Sequence, residues 1–156
     1  MPRRHAFARN CRRCRCRIEM SAPDYLRQVW LDTEYRVRLR RGGYAVIRVD
    51  ARLPEPLREF LHDECAPWGF VTAWNPHAQP APRAFNREHQ RELRDALLAL
   101  NARCRAGIGV GKDWREPSLF VTGLDFEALD TLARRCGQAA IVRGSGFGIA
   151  ELHELG

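Results

Sequence analysis

The strongest constraint in this sequence is the spacing of its apolar runs. YAVIRV (Tyr44–Val49), FVTAW (Phe70–Trp74), SLFVTG (Ser118–Gly123) and QAAIVRG (Gln138–Gly144) are each five to seven residues long. They are rich in β-branched and aromatic residues and are bounded by turn formers, which marks strands rather than helices. FVTAW and SLFVTG are apolar at nearly every position, so they read as strands covered on both faces. Between the runs the period changes to that of a helix. Leu93, Leu97, Leu100 and Cys104 recur at +4, +3 and +4, which predicts a helix over about Asn86–Arg105. Asp125 heads a second helix that carries Phe126, Leu129, Leu132, Ala133 and Cys136, with Gly137 as its stop.

The remaining elements are shorter. Residues 24–33 read as a short helix, and YRVRL (Tyr35–Leu39) joins YAVIRV through RRGG as a β-hairpin. Pro54 and Pro56 open a short helix with Leu57, Phe60, Leu61 and Cys65 on one side. Pro76, Pro80 and Pro82 stiffen a loop, GIGVGKDW is a glycine-rich loop or weak strand, and a last strand lies near Phe147–Leu152. The order ββαβα(β)βαββ predicts an α/β fold. It is a single compact domain over residues 21–156, with a mixed sheet that starts in an N-terminal β-hairpin. A chain of 156 residues suits one such core.

Charge separates the first residues from the rest. Residues 1–19 carry seven Arg and one Glu, so they hold +6 of the formal +7. The remaining body is close to neutral, which argues against nucleic acid as its partner except through the tail. Lys112 is the sole lysine among 26 basic residues, a bias that fits a GC-rich coding sequence. Residues 1–20 read as a basic tail outside the domain, either disordered or upstream of a natural start at Met20. Two further readings stay open for them. One is an arm that pairs with phosphates; the other is a metal site at Cys11, Cys14 and Cys16, which give three thiolates where a structural zinc site takes four ligands. Cys65, Cys104 and Cys136 show no disulfide framework, so a reducing cytoplasm is expected. No apolar run reaches the roughly 18–20 residues needed to cross a bilayer.

The candidate site residues are polar interruptions of these patterns. Trp74 and Asn75 stand at the carboxyl end of a predicted central strand, where α/β sheets tend to hold ligands. Counting back along the helical stripe from Leu93 gives Gln90 and Asn86, so polar groups continue the inward face at the helix start. Glu116 precedes an apolar strand, and a carboxylate there is partly buried, which makes it the best general-base candidate. Gln138 follows Gly137 and points toward the same region. Each has a plainer alternative: core packing for Trp74, an Asx turn for Asn75 and an N-cap for Asn86. For Glu116 it is an ion pair, and for Gln138 a strand-end amide. Ser118 reads as a cap or turn residue, and His77 as a loop histidine. GIGVGK lacks the spacing of a phosphate loop, and no nucleophile–histidine–acid set or metal spacing is visible in the body of the chain.

Four ordered motifs, FVTAWNPHAQ, FNREHQRELRDAL, WREPSLFVTGLD and LARRCGQAAIVRGSG, resemble a bacterial family known as domain-of-unknown-function family 3293. The resemblance spans roughly Tyr35 to Leu152. The family's strand end, helix-start Asn, Glu-Pro pair and Gly-Gln turn fall on Trp74–Asn75–Pro76, Asn86, Glu116–Pro117 and Gly137–Gln138. Cys136 replaces the aromatic residue that the pattern carries before Gly-Gln. The resemblance brings no established activity and names no cofactor. The reading that follows is a soluble domain binding a small polar or nucleotide-like ligand through Trp74, Asn75, Asn86 and Gln138, with Glu116 as a base. The alternatives are a non-catalytic protein-interaction module, which needs an exposed apolar patch, and nucleic-acid binding through the arginine-rich tail.

Overall fold

The computed structural model describes residues 22–156, so the readings made on residues 1–20 lie outside it. Helix α1 (Asp24–Leu31) leads into the hairpin β1 (Glu34–Arg38) and β2 (Tyr44–Ile47). A 3-10 turn (Glu55–Phe60) follows, then β3 (Pro67–Val71) and helix α2 (Arg83–Ala99). The chain continues through β4 (Arg103–Val110), β5 (Arg115–Thr122), helix α3 (Phe126–Arg135), β6 (Ala140–Ser145) and β7 (Glu151–Glu154). The α/β class, the single domain and the opening hairpin are as the sequence implies.

All seven strands join one sheet, in the order β2-β1-β4-β5-β3-β6-β7. Every pairing is antiparallel, where a mixed sheet is expected from the sequence. The expectation rested on strands and helices alternating after the hairpin, an order that normally packs as flat layers. Here the sheet curls instead, and its concave face closes on itself. Tyr35, Val37, Ile47, Trp68, Phe70 and Phe120 meet inside, capped by Leu57 and Phe60 of the 3-10 turn. On the convex face Val71, Val121 and Ile141 pack under Leu93 and Leu97 of α2 and Leu129 and Leu132 of α3. The curl brings the two sheet ends together. Ala150 N donates to Ala51 O at 2.8 Å, Asp50 N to Ala150 O at 2.9 Å and Leu53 N to Gly148 O at 3.1 Å. The result approaches a closed barrel.

The glycine-rich stretch forms the end of strand β4 and the turn after it, and its glycines have a steric cause. Gly107, Gly109 and Gly111 alternate on one face. A Cβ at Gly107 would lie 2.8 Å from the Phe70 ring. At Gly109 and Gly111 it would lie 3.3 and 2.1 Å from the Trp114 indole. The strand therefore gives up side chains to make room for rings that lie on it.

Several boundaries move. Helix α2 starts after Pro82, three residues before the expected Asn86, and stops at Ala99 instead of running to Arg105. Asn101 takes φ +56° there and Ala102 N bonds Leu97 O at 3.0 Å, so the chain turns into β4 and carries Cys104 with it. Leu100 is left half exposed. Strand β3 begins at Pro67 and ends at Val71, so Thr72–Trp74 lie past it. Strand β7 begins later than Phe147. Cys65 is exposed rather than on a buried helical side. Helix α3 follows expectation: Asp125 Oδ1 accepts from Ala128 N at 2.8 Å, and Gly137 at φ +72° ends it. Among the described residues, no helix is long and apolar enough to cross a membrane.

Candidate functional site

Past β3 the chain needs an unusual bend to reach α2, and an asparagine pair makes it. Asn75 adopts φ +48° and ψ +63°, a left-handed conformation that asparagine tolerates better than most residues. Its backbone N donates to Asn86 Oδ1 at 2.9 Å, and Asn86 Nδ2 returns a bond to Asn75 Oδ1 at 2.8 Å. Asn86 Nδ2 also donates to Ala81 O at 3.1 Å, while Ala81 N donates to Asn75 Oδ1 at 3.1 Å. Asn86 is 2% exposed and sits one turn inside α2, so it is not the helix cap. Its amide uses both donors and its acceptor within the protein, which makes it a lock on the bend. One turn further, Gln90 Oε1 accepts from Ala73 N at 2.8 Å and holds the strand exit to the same helix.

The pair aims Asn75 at Glu116. Asn75 Nδ2 donates to Glu116 Oε1 at 2.9 Å. Glu116 does not precede its strand as expected; it is the second residue of β5. Pro117 follows inside the strand, which a ladder tolerates only where no partner needs its N–H. Strand β3 pairs with β5 from Leu119 onward, and at Pro117 the neighbour is the Thr72 hydroxyl, which donates to Pro117 O at 2.8 Å. Ser118 is buried and donates to Glu116 O at 3.0 Å, so it serves the backbone. Burial pushes the Glu116 carboxyl above its ordinary range, and the Asn75 bond draws it part of the way back.

Glu116 opens onto a cavity of about 240 Å³ at the mouth of the curled sheet. Trp74, Asn75 and Gln138 share that lining, together with Trp30 and Trp114. A smaller hollow continues below Glu116 toward Tyr35, Phe70 and Ser118. Helix α1 forms one side through Leu26, Val29 and Trp30, and Tyr35 anchors it by donating its hydroxyl to Trp30 O at 2.7 Å. Gln138 is placed by the end of α3: its N bonds Ala133 O at 2.9 Å, and Gly137 O accepts from His77 N at 2.8 Å. That last bond ties the Asn75 loop to the Gln138 turn.

Of the residues expected at the site, Trp74, Asn75, Glu116 and Gln138 share the cavity, and Asn86 stands behind it. His77 is exposed and lines a neighbouring hollow. Cys136 lies against Leu132 and Leu93 between α3 and α2, away from the cavity. Trp30 and Trp114 are additions that the sequence reading did not single out. For Trp114 a signal existed: alternate glycines beside a tryptophan indicate a ring lying flat on the strand.

No curated protein and no solved structure matches the chain. One family model does, over a narrower span than Tyr35–Leu152 but one that holds Trp74, Asn75, Asn86, Glu116 and Gln138. Residues 71–141 match the model of the family described as Protein of unknown function (DUF3293).

Proposed function

We propose that this chain binds a small polar ligand in the cavity at the mouth of the sheet, with Trp74, Asn75, Glu116 and Gln138 in contact and Asn86 as a positioning residue. The observation that carries this is convergence. Residues from the β3 exit, from β5 and from the turn after α3 face one space, although they are far apart in sequence. The Asn75–Asn86 pair is satisfied internally, yet its outcome is to present a carboxylate and an amide to a concave, aromatic-walled site. Glu116 is also the group we propose as a general base, because it opens on the cavity and burial raises its proton affinity. Among the described residues, an interaction surface has no comparable convergence behind it; the arginine-rich tail lies outside them.

A thermal-shift panel of small metabolites on the full chain tests the proposal. A ligand at a hundred times its Kd adds about 2.7 kcal/mol to stability, several degrees in Tm for a domain of this size. The rise should shrink in Gln138→Ala and Trp74→Leu. A rise equal in those variants locates binding elsewhere, and a broad panel without any rise overturns the proposal.

A further inference from the structure

The cavity differs in charge from the rest of the molecule. Among the described residues no Lys or Arg lines it, in a chain that carries 26 of them. Its one carboxylate is Glu116, and no basic side chain on the wall offsets it. Arg134 lines the adjoining hollow, where its Nε donates to Leu155 O at 3.0 Å. The aromatic content is the second peculiarity. Three of the four tryptophans of the chain, Trp30, Trp74 and Trp114, line this one space, while Trp68 is in the core.

These features have one electrostatic sense. Indole faces are negative and attract a cation lying over the ring. A half-buried carboxylate in the same wall attracts it further. A phosphate or carboxylate brought here would meet Glu116 with no countercharge. The fixed position of Trp114 adds an argument from construction. Gly109 and Gly111 give up side chains to seat its ring on β4, and Gly111 N donates to Trp114 O at 3.0 Å across the turn. Sequence and backbone are thus committed to holding an aromatic surface beside the carboxylate.

We infer that the ligand is a small organic cation of the alkylammonium type, its charged head held among Trp30, Trp74 and Trp114 and paired with Glu116. This rests on the binding function proposed above and gives it a chemical class. Gln138 hydrogen-bonds the ligand's polar remainder. At about 240 Å³ the cavity is smaller than the roughly 300–1,000 Å³ of drug-sized sites, which suits a head group with a short substituent.

The test uses the full chain at fixed ionic strength, with choline and n-propylammonium as cationic probes. The uncharged isostere of choline, 3,3-dimethylbutan-1-ol, isolates the charge; adenosine and adenosine monophosphate stand for neutral and anionic heterocycles. Calorimetry gives the Kd, and tryptophan emission reports the cavity because most of the indoles are there. A cationic probe should saturate and bind at least about tenfold more tightly than the uncharged isostere. Glu116→Gln, with an unchanged circular dichroism spectrum, should weaken it about tenfold or more. Trp114→Leu should weaken it several-fold, in line with about 0.5–2 kcal/mol for one cation–aromatic contact. If adenosine or its monophosphate binds and both cations fail, the cavity is a binding site but the charge inference is overturned. Equal binding of choline and its isostere, or binding unaffected by Glu116→Gln, overturns it as well. If no probe binds and the metabolite panel is also blank, the binding function falls with it.

Discussion

Glu116 carries its charge where solvent is scarce, and that has a measurable cost in stability. Burial raises its folded-state pKa above the ordinary 4.5, with the Asn75 bond a smaller, opposing effect. A raised pKa means that the folded chain holds the proton more tightly than the unfolded chain does. The contribution is therefore fully present below the unfolded value and is lost as pH rises through the folded one. Glu116→Gln mimics the protonated form and keeps the acceptor for Asn75 Nδ2. At neutral pH the variant should unfold at higher urea than the wild type, and the gap should close as pH approaches 4.5. A gap that is constant with pH means that the carboxylate is well solvated. Asn75, Asn86, Glu116 and Gln138 were legible in the sequence because each breaks an apolar pattern where burial is expected. Their roles were less so: Asn86 could pass for a helix cap until Pro82 proved to be the start. Trp30 carries no such signal, since a tryptophan on a short helix is ordinary core material.

At the level of elements, strand β4 shows how a local composition can mislead. A stretch with three glycines in five residues reads as a loop or weak strand, yet its first four residues, 107–110, complete a full strand between β1 and β5. The missing side chains are replaced by rings from elsewhere, which no window along the chain can reveal. The same holds for the sheet. Antiparallel pairing of every strand depends on which strands become neighbours, a property of the whole arrangement and not of any one run. Gly111→Ala probes the arrangement directly. Its Cβ would stand 2.1 Å from Trp114 Nε1, so the half-exposed indole must swing out. The expected result is a red shift of tryptophan emission and a loss of about 1 kcal/mol in stability. An unchanged spectrum means that the ring has room to adjust in place.

For the molecule as a whole, the junction between the sheet ends decides how it holds together. Residues 50–53 and 148–150 lie outside regular strands, and loops of that kind normally exchange their amides quickly. Here the amides of Asp50, Leu53 and Ala150 are all donors across the junction. Hydrogen exchange read by mass spectrometry should show both segments protected nearly as well as β3, and far better than α1, which buries no residue fully. Fast exchange at 148–150 means that the two ends separate in solution. The pairing of β3 has a further bearing, on the order in which the chain is made. Strand β3 is synthesised early, but its neighbours β5 and β6 emerge some fifty and seventy residues later. Until Ser145 has left the ribosome, the middle of the sheet has nothing to complete it. Loss of the last dozen residues would remove β7 and the junction beside it; a cut before β6 would also leave β3 with one of its two partners.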